Sequence, residues 1–162
     1  MPDLQRGAGL SIHYQIDDFT DPWVESPMLL LQHGNGRSGH FWYRWVPLLA
    51  GHFKVVRPDM RGLGRSTRPA DLERSLTLDS LVGDLVGLLD HLDVERVHYC
   101  GESMGGILGL GGFRNRQRPG PQPMRALLRL GDRCRREAQL VGHGRFLRVV
   151  ELAGRRGSID PH

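Results

Sequence analysis

The spacing of apolar residues changes several times along the chain, and each change marks an element. Leu10–Gln15 (LSIHYQ) alternates apolar and polar positions, the period of a half-buried strand. Met28–Gln32 is a continuous apolar run, as expected of a central strand covered on both faces. Asp17–Pro27, between them, is a polar turn region with Asp21-Pro22 and Ser26-Pro27. Ser38 is placed to cap a helix over Phe41–Leu49, and His52–Val56 reads as the next strand. A polar, glycine-rich loop follows over Met60–Ser75. Thr77 then caps a helix to about Leu92, with Asp79 in its first turn, where a negative charge favours the helix dipole. Leu78, Leu81, Val82, Leu85, Leu88, Leu89 and Leu92 recur at spacings of three and four, which makes one buried stripe. Glu95–Cys100 is a further strand, and Met104–Leu110 opens a further helix.

Strands and helices therefore alternate, which predicts an α/β fold with a mostly parallel sheet flanked by helices. Right-handed crossovers put ligands beyond the carboxyl ends of such strands. The 162 residues suit one domain and no apolar stretch approaches the length of a membrane span. The opening residues lack the pattern of a signal peptide, and the two cysteines, Cys100 and Cys134, form neither a disulfide framework nor a zinc framework. A cytoplasmic address is the default expectation.

Three glycine-bearing turns carry the chemistry. Gly101-Glu102-Ser103-Met104-Gly105-Gly106 follows the strand ending at Cys100 and precedes a helix. This is a Gly-x-Ser-x-Gly nucleophile elbow in its strand-to-helix setting. Gly101 and Gly105 allow a tight turn that exposes Ser103 as the candidate catalytic nucleophile. The Met104 backbone N–H, at the helix start, can then point at a developing oxyanion. His33-Gly34-Asn35-Gly36 follows the central apolar strand, and Asp59-Met60-Arg61-Gly62-Leu63-Gly64-Arg65-Ser66 follows the next one. The latter fits neither a phosphate loop nor a dinucleotide fingerprint, so Asp59 and Arg61 are read as making local hydrogen bonds. Phe41, Trp42 and Trp45 are read as core rather than as pocket lining, and the His33 side chain as structural.

With these three motifs in this order, the sequence resembles the α/β-hydrolase superfamily over about residues 8–112. It is most similar to small-molecule hydrolases such as enol-lactonases, haloperoxidase-like esterases and carbon–carbon bond hydrolases. The resemblance implies that the residue after the His-Gly turn, Asn35, supplies a second oxyanion N–H. It implies hydrolysis of a small ester, lactone or related carbonyl compound through Ser103, without a metal or organic cofactor.

The resemblance ends near Gly112. Family members place an acid and then a histidine after the serine, each following a later strand. Gly111–Gln122 instead holds three Gly, two Pro and three Arg, so the helix behind the elbow must end early. Met124–Val141 recovers a helical rhythm, and Phe146–Leu152 suits a strand or a short helix. His143, with Asp132 or Asp160, is a poor base-and-acid pair, because no recognisable sheet strand carries either. His162, Glu137 and Glu151 are no better placed; His98, His40 and His91 are upstream on a strand and two helices. The base and acid therefore have no assignment.

Charge divides at the same point. Residues 1–112 carry 10 basic and 14 acidic groups, whereas residues 113–162 carry 12 basic groups, all arginine, and 4 acidic ones. The expected organisation is a hydrolase core over 8–112 and an atypical basic tail over 113–162. The favoured reading of the tail is an out-of-frame product of a GC-rich gene, leaving a weakly active or inactive, truncated chain. The alternatives are a non-catalytic hydrolase remnant and a basic-tailed binding module. Nucleic acid is disfavoured as a partner because the tail has one aromatic residue, Phe146, and no known binding module. An incomplete sheet would leave an edge open to self-association.

Overall fold

A computed structural model describes residues 3–7, 9–116, 125–127 and 148–153. The described residues include seven strands, β1 Asp3–Gln5, β2 Ser11–Asp17, β3 Met28–Gln32, β4 Lys54–Pro58, β5 Arg96–Gly101, β6 Arg125–Leu127 and β7 Arg148–Ala153. They form one sheet in the order β1-β2-β4-β3-β5-β7-β6. The helices are α1 Val46–Leu49, α2 Leu72–Ser75, α3 Leu78–His91 and α4 Met104–Arg116.

The parallel part of the sheet is its centre, where β3 pairs with β4 on one side and β5 on the other. All other pairings are antiparallel, so the sheet is mixed. In the β3–β5 register Gln32 lies opposite Gly101, which brings the turns after both strands to the same end of the sheet. The outer edge of β5 is paired with β7. Arg148–Ala153 thus resolves the choice between strand and helix left by Phe146–Leu152. The helical rhythm at Met124–Val141 falls largely outside the described residues, but Arg125–Leu127 within it is a strand.

The alternation of side chains across the strands builds two cores. Ile12, Tyr14, Leu30, Val56, Val97 and Tyr99 face Leu88 and Leu89 of α3. Leu29, Leu31, Val55 and Cys100 face the other way, onto Trp42, Val46 and Ala50. Phe41 and Trp45 pack against this second cluster, so all three aromatic residues serve the core. Leu108 of α4 meets Leu81 and Val82 of α3, so the two helices share one face of the sheet.

The apolar stripe on α3 predicts that helix well. Thr77 Oγ1 accepts the Ser80 N–H at 3.2 Å, capping it as expected. A single helix over Phe41–Leu49 does not form. A 3-10 turn at Gly39–Trp42 is followed by a separate α1, and Ser38 makes no side-chain cap. Pro47 explains the break, since its ring is tolerated in the first turn of a helix and not in its interior. Helix α4 is described from Met104 to Arg116.

The loop after β4 is a hydrogen-bonding hub. The Asp59 carboxylate accepts the Gly39 N–H at 2.6 Å and the Arg65 N–H at 2.8 Å. Ser66 Oγ donates to the Asp59 carbonyl at 2.8 Å and accepts the His13 N–H at 2.9 Å. Gly64 has φ 56, and a Cβ there would collide with the Asp59 carboxylate. Arg61 reaches both oxygens of buried Asp84 at 2.6 Å, and the carbonyls of Ser75 and Ser80. Arg6 adds a third bond to Asp84 at 3.3 Å, lying across Gly87 of α3, where any side chain would block it.

Candidate active site

The turn after β5 has the geometry that its glycines imply. Ser103 is exposed and has φ 52, the left-handed region where a non-glycine residue is strained. A Cβ on Gly101 would strike the backbone of Gly105 and Gly106, and one on Gly105 would strike the carbonyls of Gln32 and His33. Both collisions are with backbone, which cannot swing aside. The two glycines are therefore the condition for the turn to close over β3. Tyr99 buttresses it from below, donating its OH to the Gly105 carbonyl at 2.5 Å. Burial pushes the Tyr99 phenol well above its ordinary pKa, so it remains a donor.

The His-Gly turn meets the elbow directly. A Cβ on Gly34 would lie 3.1 Å from Ser103 Cβ, and closer still to the Glu102 carboxylate. Asn35 is thus one residue from a direct contact with the Ser103 turn. Its side chain is occupied locally, accepting the Gly36 N–H at 3.0 Å. Among the described residues, neither the Asn35 nor the Met104 backbone N–H has a protein acceptor.

His33 is fully buried behind this turn. Its Nε2 accepts the Met60 N–H at 3.0 Å, which leaves Nδ1 to donate to the Gly34 carbonyl at 2.7 Å. Both ring nitrogens are committed to the backbone, so the side chain braces two loops. Burial lowers its pKa below the ordinary 6.5, with the hydrogen bond to Gly34 opposing in part. The unfolded chain therefore binds this proton first. The contribution to stability is full above about pH 6.5 and declines as pH falls from there toward the folded value. Unfolding monitored between neutral pH and about pH 5 is expected to show this loss. His33→Gln should cost about 1–3 kcal/mol at neutral pH by orphaning buried backbone groups, and should flatten the pH dependence.

Ser103 Oγ makes no hydrogen bond with any described residue. The other histidines described lie elsewhere. His13 Nδ1 meets Asp3 at 2.8 Å near the sheet edge; His98 packs on Phe53, His40 on Tyr43 and His91 on Tyr14. His143, His162, Asp132, Glu137, Asp160 and Cys134 lie outside the described residues. Glu151 stands opposite His98 in the β5–β7 register. A concavity of about 790 Å³ lined by Met28, Lys54 and Val97 among others opens at the amino ends of β3, β4 and β5, away from the elbow.

One pair at the site was not singled out by the motifs. Arg37 Nε lies 3.6 Å from Glu102 Oε2 and so ties the His-Gly turn to the elbow. The signal available was opposite charge on two turns that follow adjacent parallel strands.

Comparison with known proteins agrees with this geometry. A family profile described as alpha/beta hydrolase fold matches residues 27–128. Over 99 residues the chain is 30% identical to a protein of Agrobacterium fabrum assigned as a carbamate hydrolase, RutD, covering 61% of this chain and 36% of that one. Over 93 residues it is 38% identical to the 2-hydroxy-6-oxo-2,4-heptadienoate hydrolase of Pseudomonas putida, covering 56% and 33% respectively. The crystal structure of the enol-lactonase from Burkholderia xenovorans matches with a TM-score of 0.59 at 35% identity, over 67% of this chain and 40% of that one. The chain thus spans between a third and two fifths of the length of these relatives. Among the described residues no helix is long and apolar enough to cross a membrane.

Proposed function

Because the chain belongs to the alpha/beta hydrolase fold family, we propose that it carries the nucleophile and oxyanion hole of a serine hydrolase acting on a small ester, lactone or related carbonyl compound. The observation that carries this reading is Ser103 at φ 52 with Gly34 packed against it. A strained serine at a strand-to-helix turn costs folding energy, and strain of this kind clusters at functional sites.

In this reading Ser103 Oγ attacks the carbonyl carbon. The carbonyl oxygen becomes an oxyanion held by the N–H groups of Asn35 and Met104, each worth roughly 2.7–4 kcal/mol in the transition state. The alcohol or enol departs, and water hydrolyses the acyl–serine. The serine proton needs a base, and no described residue supplies one to Ser103. The chain as described is therefore a slow catalyst, retaining roughly 10³–10⁴ over water from the oxyanion hole and binding.

A fluorophosphonate probe tests this. Labelling is expected at Ser103 and to vanish in Ser103→Ala, at a rate about 10²–10⁴ below that of a serine with a hydrogen-bonded base. Fast labelling would mean that a base lies outside the described residues. Labelling that survives Ser103→Ala, or none at all, would instead support the second reading, a non-catalytic hydrolase relative. The absence of a described base beside Ser103 is what favours that alternative.

A further inference from the structure

We propose that Arg37 recognises a carboxylate on the substrate, so that the site prefers esters or lactones bearing an anionic group near the scissile carbonyl. This deepens the serine-hydrolase reading and rests on it.

Arg37 follows directly on the His-Gly turn, just after Gly36 at φ 69. Its guanidinium is fixed from two directions. Its Cζ lies 4.4 Å from the centre of the Phe41 ring, and its Nε edge faces Glu102 Oε2 at 3.6 Å. The Glu102 carboxylate is wedged against Gly34, and Oε2 is buried without a hydrogen bond. Glu102 directly precedes Ser103 in the elbow, so this ion pair ties the guanidinium to the residue before the nucleophile.

These contacts use Nε and the Phe41 ring. The two terminal nitrogens make no hydrogen bond with a described residue, and the side chain is 42% exposed. An arginine is permanently charged, and its fork of donors matches a carboxylate in bidentate fashion. Glu102 alone would repel an anionic substrate at this place; Arg37 offsets that charge and adds directional donors. A neutral acyl chain gains nothing from the fork. The pair therefore discriminates by charge.

The test compares p-nitrophenyl hemisuccinate with p-nitrophenyl butyrate on the full chain. The hemisuccinate is expected to be preferred in kcat/KM. In Arg37→Gln that preference should fall by about tenfold or more, chiefly through KM, and Arg37→Lys should restore part of it. An unchanged preference, or an equal loss for both esters, would overturn the proposal. If neither ester is hydrolysed above the rate in water, the hydrolase reading fails by itself. Succinate titrated into the protein then decides the role of Arg37. Saturable shifts of the Gly34, Asn35 and Glu102 amide resonances, weakened about tenfold in Arg37→Gln, support it; no saturable shift, or equal binding by the variant, refutes it.

Discussion

Asp84→Ala is expected to destabilise the chain by about 3–5 kcal/mol, enough to unfold much of the population at physiological temperature. The reason is the partner left behind. The Asp84 side chain is only 6% exposed and the Arg61 side chain 11%, and they form a bidentate pair at 2.6 Å. Removing the carboxylate leaves a buried guanidinium without its counter-charge, which costs far more than the pair itself contributes. Arg6→Ala provides the contrast. Arg6 contacts the same carboxylate at 3.3 Å but is 33% exposed, so water compensates it, and a loss within about 1 kcal/mol is expected. Urea unfolding of the three proteins checks both numbers. Equal losses would mean that burial does not govern this cluster.

Gly105→Ala should cost about 3 kcal/mol, the upper range for overpacking, and should also abolish probe labelling of Ser103. The added methyl meets the Gln32 and His33 carbonyls. Gln32 ends the central strand β3 and His33 follows it directly, so relief requires α4 to lift from β3. That movement takes Ser103 away from Gly34 and moves the Met104 N–H away from that of Asn35. Gly106→Ala is the control, because its nearest neighbour across the turn is 3.5 Å away, an ordinary contact. Urea midpoints and labelling rates for the two variants should diverge sharply.

Much of this arrangement is legible in the chain because it depends on local pattern. The apolar stripe of α3 and its Thr77 cap, the continuous run of β3, and the glycines around Ser103 each encode their own geometry. What pattern does not carry is lateral pairing. Three-residue β1 has too few positions to show a period, and β7 pairs antiparallel with β5 through contacts about fifty positions away in sequence. Pro47 lies inside the apolar spacing that predicts one helix over Phe41–Leu49, and its steric exclusion outweighs that weak propensity. In the site, Ser103, Gly101 and Gly105 could be named from their motif. The ion pair between Arg37 and Glu102 could not, since it exists only once β3 and β5 lie side by side.

That side-by-side placement has a consequence for how the chain avoids error. A slide of one strand past another by one residue turns every side chain to the opposite face. Here Gly105 must sit on the Gln32 carbonyl. That happens only when Gln32 is opposite Gly101. Sliding β5 one step takes Gly105 off that carbonyl and turns Val97 and Tyr99 away from α3. The glycines that expose the serine therefore also act as a gauge of strand alignment, so a misaligned sheet carries no elbow.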